Sequence, residues 1–143
     1  DDGYQVVSDL SNLSTRGSIG PGKNLIGGFV VSGNMPKRIL IRAIGPTLVG
    51  FGITDAVDSA RLVLSHHVDG DMITIGDNLG WSTHPGSSQI AEVSARAGAF
   101  ALEPDSLDSA LLLWLEPGVY TAQVQPGQSG QSGTALVEVY QTE

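Results

Sequence analysis

The sequence predicts an all-β fold, an antiparallel jelly-roll-like β-sandwich of about eight strands with one short crossover helix. Three observations carry that expectation. Apolar residues recur with period two in short windows, which places them on one face of a pleated strand. Nineteen glycines and seven prolines break the chain at short intervals, favouring tight turns over long helices. Aromatic residues are only 6% against 41% apolar, so the core must be built from Val, Ile, Leu and Ala, the side chains that suit a half-buried sheet.

In chain order, the alternating windows are residues 4–7, 10–19, 25–32, 38–44, 61–68, 71–76, 109–115, 120–125 and 134–141. Between them lie Gly20-Pro21-Gly22, Gly33-Asn34-Met35-Pro36, Asp69-Gly70, Pro117-Gly118 and a polar loop over 126–133, each able to reverse the chain. Asp69-Gly70 is the clearest hairpin, because both residue types accept the positive φ of a two-residue primed turn. Residues 87–97 read as the helix: Ser87 or Ser88 caps the start, Ile90, Val93 and Ala97 share a face, and Gly98 ends it. It is expected as a crossover over one end of the sandwich.

Residues 38–44 are apolar on both alternating sets, so both faces of that strand should be covered. Arg42 shares a face with Leu40 and Ile44, and a buried arginine needs a carboxylate. Glu138, between Leu136 and Tyr140 on its own alternating face, is the expected partner in a structural ion pair.

A chain of 143 residues is read as one domain, 1–143, with residues 1–8 as an extended N-terminal arm. The net charge of −8, without any basic run, argues against nucleic acid and anionic membranes as partners. Cysteine is absent, which excludes disulfides and thiolate metal sites. No apolar stretch approaches the roughly 20 residues of a membrane helix.

Candidate sites follow from residue chemistry. Asp69, Asp71, Asp77 and Asn78 fall close together around turns and offer oxygen ligands for Ca2+, although the spacing is not that of a calcium-binding loop and solvated turns are the ordinary reading. His66 and His67 are adjacent on a strand and point to opposite faces, so at most one of them can join a given zinc site with His84. No nucleophile elbow surrounds any serine, and Glu92, Glu103, Glu116 and Glu138 share no motif for sugar hydrolysis. Gly17-Ser18-Ile19-Gly20-Pro21-Gly22 lacks the Lys-Ser/Thr ending of a phosphate loop. Trp114, within an apolar run, is expected in the core. Trp81 follows a Gly-rich turn, where it either anchors the loop or stacks on a sugar ring.

The segments Leu10-Ser11-Asn12-Leu13-Ser14-Thr15-Arg16-Gly17, Leu25-Ile26-Gly27-Gly28-Phe29-Val30-Val31-Ser32-Gly33 and Lys37-Arg38-Ile39-Leu40-Ile41-Arg42-Ala43-Ile44-Gly45-Pro46 are followed by Gly98-Ala99-Phe100-Ala101-Leu102, Pro117-Gly118-Val119-Tyr120-Thr121-Ala122-Gln123-Val124 and residues 135–140. In that order they resemble a tandem-repeat β-sandwich module of large secreted bacterial surface proteins, distantly similar to pre-peptidase C-terminal domains. Ser65-His66-His67 departs from the resemblance, which implies an aromatic-acidic pair before the turn. The resemblance implies an extracellular, cell-surface location and end-to-end stacking of copies, and supplies no catalytic constellation.

The expected function is therefore a non-catalytic structural subunit that stacks or polymerises into a surface fibre or layer, its partners being copies of itself. Tyr4, Gln5, Val6 and Val7 are the expected assembly strand, adding to an open sheet edge of a neighbouring copy. The alternative is an adhesive module that binds polysaccharide through Trp81.

Overall fold

In the computed structural model, which describes the backbone of residues 4–7 and residues 12–142 in full, the strands are β1 (Tyr4–Val7), β2 (Asn12–Ile19), β3 (Leu25–Val31), β4 (Lys37–Ile44), β5 (Ala60–Val68), β6 (Asp71–Asn78), β7 (Ser109–Leu115), β8 (Gly118–Pro126) and β9 (Gly133–Gln141). One α-helix, α1 (Ser87–Arg96), and two 3-10 turns, Pro46–Phe51 and Trp81–Thr83, occupy the long connections. The strands form two sheets, ordered β1-β3-β8-β5-β6 and β2-β9-β4-β7.

The topology follows from one hairpin. β5 and β6 meet at Asp69-Gly70, whose φ angles of 52° and 86° are those a primed two-residue turn requires. Outside this pair, β4 joins β7, β3 joins β8 and β2 joins β9, every pair antiparallel. The chain is thus a long nested hairpin wound round itself, which is a jelly roll. β1 alone runs parallel to its neighbour, pairing Tyr4 to Ile26 and Val7 to Phe29. No helix among the described residues is long and apolar enough to cross a membrane.

Inward-facing residues of both sheets make one core, including Leu13, Leu25, Phe29, Ile39, Ile41, Leu62, Leu64, Val124 and Val137. Tyr120 lies between Phe29 and His66, with ring centroids 5.5 and 4.3 Å away, and its hydroxyl donates to the Glu116 carbonyl at 2.6 Å. That bond ties the turn before β8 to the sheet. Gly133, at φ 155°, opens β9 where the chain crosses residues 55–57; a Cβ there would stand 2.6 Å from the Asp55 carbonyl.

The four-stranded sheet also carries apolar groups on its back. Leu40 and Ala110 pack with Ile90 and Val93 of α1, and Ile44 packs with Leu48 and Leu102. Trp81 touches both clusters, and Phe51 meets Phe100 at 4.6 Å above them. The double apolar pattern of residues 38–44 has this cause: from Ile39 onward β4 is buried on both faces. The helix departs from expectation at its start, where Gly86 occupies the cap position and no serine side chain caps it. His84 does that work instead, its carbonyl accepting from the Ser87 N–H at 3.0 Å and its Nδ1 from the Gly86 N–H at 2.9 Å.

Candidate functional site

Arg42 and Glu138 face each other in register across β4 and β9, and Arg42 Nε donates to Glu138 Oε1 at 2.9 Å. The arginine is fully buried, its Nη1 donates to the Phe100 carbonyl at 2.7 Å, and the Phe100 ring lies 4.8 Å from its Cζ. Charge, hydrogen bond and ring contact together offset part of the cost of desolvating the guanidinium, whose Nη2 is buried without a hydrogen-bond partner among the described residues. The pair pins the segment around residue 100 onto the sheet. Close by, the Tyr140 hydroxyl is pushed up to about 12, first by burial and then by the Glu138 charge.

A second buried carboxylate has no precedent in the motifs of the sequence. Asp108 is fully buried and accepts from the Gly45 N–H at 2.8 Å, the Thr47 N–H at 3.2 Å and the hydroxyls of Thr47 and Ser106. Thr47 Oγ1 in turn accepts from the Glu103 N–H at 3.0 Å. Asp108 thereby fastens the 3-10 turn after β4 to the strand entry of β7. The short run Asp105-Ser106-Leu107-Asp108 reads as an ordinary turn, and only the arrival of Gly45 and Thr47 from another part of the chain makes it a network.

The four oxygen-bearing residues around the hairpin do not converge. Asp69 and Asp71 flank the turn, while Asp77 stands at the far end of β6, about 20 Å from Asp71 at the usual rise per residue. Asp77 is engaged by Arg61 Nε at 2.8 Å, and that bond holds its carboxyl below the usual range. The Asn78 side chain turns inward, its carbonyl accepting from the Ala110 N–H at 3.1 Å. No group of three or more His, Asp or Glu side chains gathers among the described residues. The histidines are likewise separate: His66 stacks on Tyr120, His67 Nε2 lies 2.6 Å from Thr121 Oγ1, and His84 sits at the start of α1, where burial lowers its pKa.

Of the two tryptophans, Trp81 anchors its loop by packing, and Trp114 leaves the core place expected for it. Trp81 is half-buried between the clusters behind the four-stranded sheet, and its Nε1 donates to the Glu103 carbonyl at 2.9 Å. It also lines a cavity of about 390 Å3 with Ile90, Ser94 and Leu102. Trp114 is 61% exposed. It lies on the back of β7 in the same alternating set as Ala110 and Leu112, but α1 covers those two and stops short of it. Arg38 faces Trp114 across the ladder, and a cleft of about 240 Å3 is lined by Arg38, Val93, Arg96, Ala97, Gln141 and Thr142.

The sheet margins complete the surface. Residues 4–7, expected to reach a neighbouring copy, pair within the chain's own sheet as β1, where they form one margin of the five-stranded sheet. β6 forms the other, with Met72, Ile73 and Ile75 exposed. β6 contains neither lysine nor proline, two common guards of an open edge.

No family model matches the chain, and no curated protein matches it in sequence. Solved structures are similar to it. A periplasmic lysozyme inhibitor of g-type lysozyme from Aeromonas hydrophila is 11% identical with a TM-score of 0.49, covering 96% of each chain. The Yersinia pseudotuberculosis-derived mitogen is 11% identical with a TM-score of 0.48, over 93% of this chain and 88% of that one. The pre-peptidase C-terminal domain of a collagenase from Bacillus anthracis is 18% identical with a TM-score of 0.54, over 95% of this chain and 93% of that one, and this chain shares its β-sandwich fold.

Proposed function

We propose that the protein is a non-catalytic, extracellular structural module whose copies join end to end through the two margins of the five-stranded sheet. The carrying observation is the direction of those margins. β1 runs parallel to β3, and the steps from β3 to β8, β5 and β6 are each antiparallel, so β1 and β6 run in opposite directions. A second copy displaced along the sheet therefore sets its β1 antiparallel to the first copy's β6, the more stable ladder. Such a contact is heterologous and does not close, so it propagates into a filament. Exposed Met72, Ile73 and Ile75 add apolar area at the joint. Use of the same fold as a C-terminal domain of a collagenase supports reading the chain as a module.

Electron microscopy and light scattering of the purified protein test this reading. Filaments, or a mass that climbs with concentration, are expected. Ile73→Lys should leave a folded monomer, because a lysine on an edge strand resists pairing. A wild-type chain that stays monomeric at its highest soluble concentration, or an Ile73→Lys variant that assembles unchanged, overturns it.

One observation favours a second reading, a carbohydrate-binding adhesion module. Trp114 offers an exposed indole face of the kind that stacks on sugar rings. The platform is then Trp114, because Trp81 is committed to packing.

A further inference from the structure

Resting on that second reading, we infer that Trp114 and the adjoining cleft form a subsite for an acidic sugar, a uronate residue of a polysaccharide. The residues lie in one row across the back of the four-stranded sheet. Trp114 on β7 is paired with Arg38 on β4, and Arg38 is strapped to Thr142 beyond β9. The strap has three bonds: Arg38 Nε donates to Thr142 Oγ1 at 3.1 Å, and the Thr142 N–H and hydroxyl donate to the Arg38 carbonyl at 2.9 and 3.1 Å. Nε alone of the guanidinium is used, so the two terminal nitrogens stay without a partner among the described residues. Arg96, the last residue of α1, lines the same cleft and makes no ion pair among the described residues.

The composition of the cleft selects the ligand. Two of the chain's seven cationic residues line it, and among the described residues no carboxylate does, in a protein of net charge −8. An arginine fork binds a carboxylate in two parallel hydrogen bonds, which a neutral sugar does not offer. Gln141 and Thr142 supply donors and acceptors for ring hydroxyls, and Trp114 supplies the apolar face that a pyranose ring covers. An acidic peptide is disfavoured, because among the described lining residues only Val93 and Ala97 are apolar, which leaves little for peptide side chains to pack on. The net negative charge opposes polyanions at long range, but at physiological salt that repulsion fades beyond about 8 Å and the local arginines decide.

The test is retention of the full chain on immobilised polygalacturonate, a neutral β-glucan and polyglutamate at physiological salt. Selective retention on polygalacturonate is expected, with Trp114→Ala and Arg38→Gln each weakening it by about tenfold, the loss expected for one charged hydrogen-bonding or stacking contact. Because Trp114 is exposed, the unfolding curve of Trp114→Ala should overlie that of the wild type. Equal retention on the neutral glucan, indifferent to Arg38→Gln, overturns the acidic-sugar assignment and leaves the carbohydrate reading standing. Retention on neither glycan overturns both. Polyglutamate binding that Trp114→Ala does not change assigns the cleft to acidic peptide and overturns the sugar.

Discussion

The two sheets share one core and differ in what lies behind them. Behind β4, the side chains of Leu40, Arg42 and Ile44 are completely buried under α1, the 3-10 turn after β4 and the segment around Phe100. Behind β8, Val119 is 45% exposed, and Gln123 and Gln125 are partly exposed. Sequence shows the cause. β4 places apolar residues on both alternating sets, whereas β8 alternates Tyr120, Ala122 and Val124 with the outward, partly exposed Gln123 and Gln125. A covered back must bury its polar groups in pairs, and a bare back leaves them to water. The difference teaches where stability is concentrated and where surface is free for partners.

The strongest way to break this contrast is to unpair the charge under the cover. Glu138→Ala leaves the Arg42 guanidinium buried without its carboxylate, and a loss of about 4 kcal/mol is expected in urea unfolding. Replacing both residues together, Arg42→Met with Glu138→Leu, should cost far less than the single change, since well-packed apolar pairs often match buried ion pairs. If the double variant is as unstable as the single one, the pair matters through its bond to the Phe100 carbonyl and not through burial of charge.

Next in size is the packing of α1 on the sheet. Ile90 is 1% exposed, and Ile90→Ala should cost about 3 kcal/mol by the same measurement. A smaller, pH-dependent effect arises from Tyr140. Its folded pKa of about 12 lies above the value near 10 of an unfolded tyrosine, so the folded state holds that proton more tightly. The associated stability is full below about pH 10 and is lost as pH rises through about 12. Tyr140→Phe should flatten that alkaline decline in a pH series of melting curves. Tyr120, raised by burial and then by Glu116, keeps part of it. Smallest of all, Gln123→Lys on the bare back should change stability by no more than about 0.5 kcal/mol.

Much of the sandwich is legible from local pattern. The Asp69-Gly70 turn, the alternating windows and the span of α1 depend on near neighbours in sequence, and observed strands begin and end within a few residues of those windows. Arg42 and Glu138 are legible for the same reason, each being a charge with apolar neighbours on either side along its alternating set, Leu40 and Ile44 for one and Leu136 and Tyr140 for the other. The rest depends on long-range coverage. Strand parity puts Trp114 on the face that α1 protects, but nothing local says that the helix ends before reaching it. Asp108 becomes a network only when Gly45 and Thr47 reach it, and Arg38, Arg96 and Thr142 meet only after β4, α1 and β9 have packed. The direction of β1 also escapes local reading, since four residues state a strand without stating its partner.

Hydrogen–deuterium exchange at rising protein concentration tests most directly that copies join through opposed margins of the open sheet. New protection should develop in β1 and β6 together, while the amides of β2 and β7 exchange as they do in dilute solution. Protection that appears at β2 and β7 instead, or no concentration dependence at all, would contradict the account.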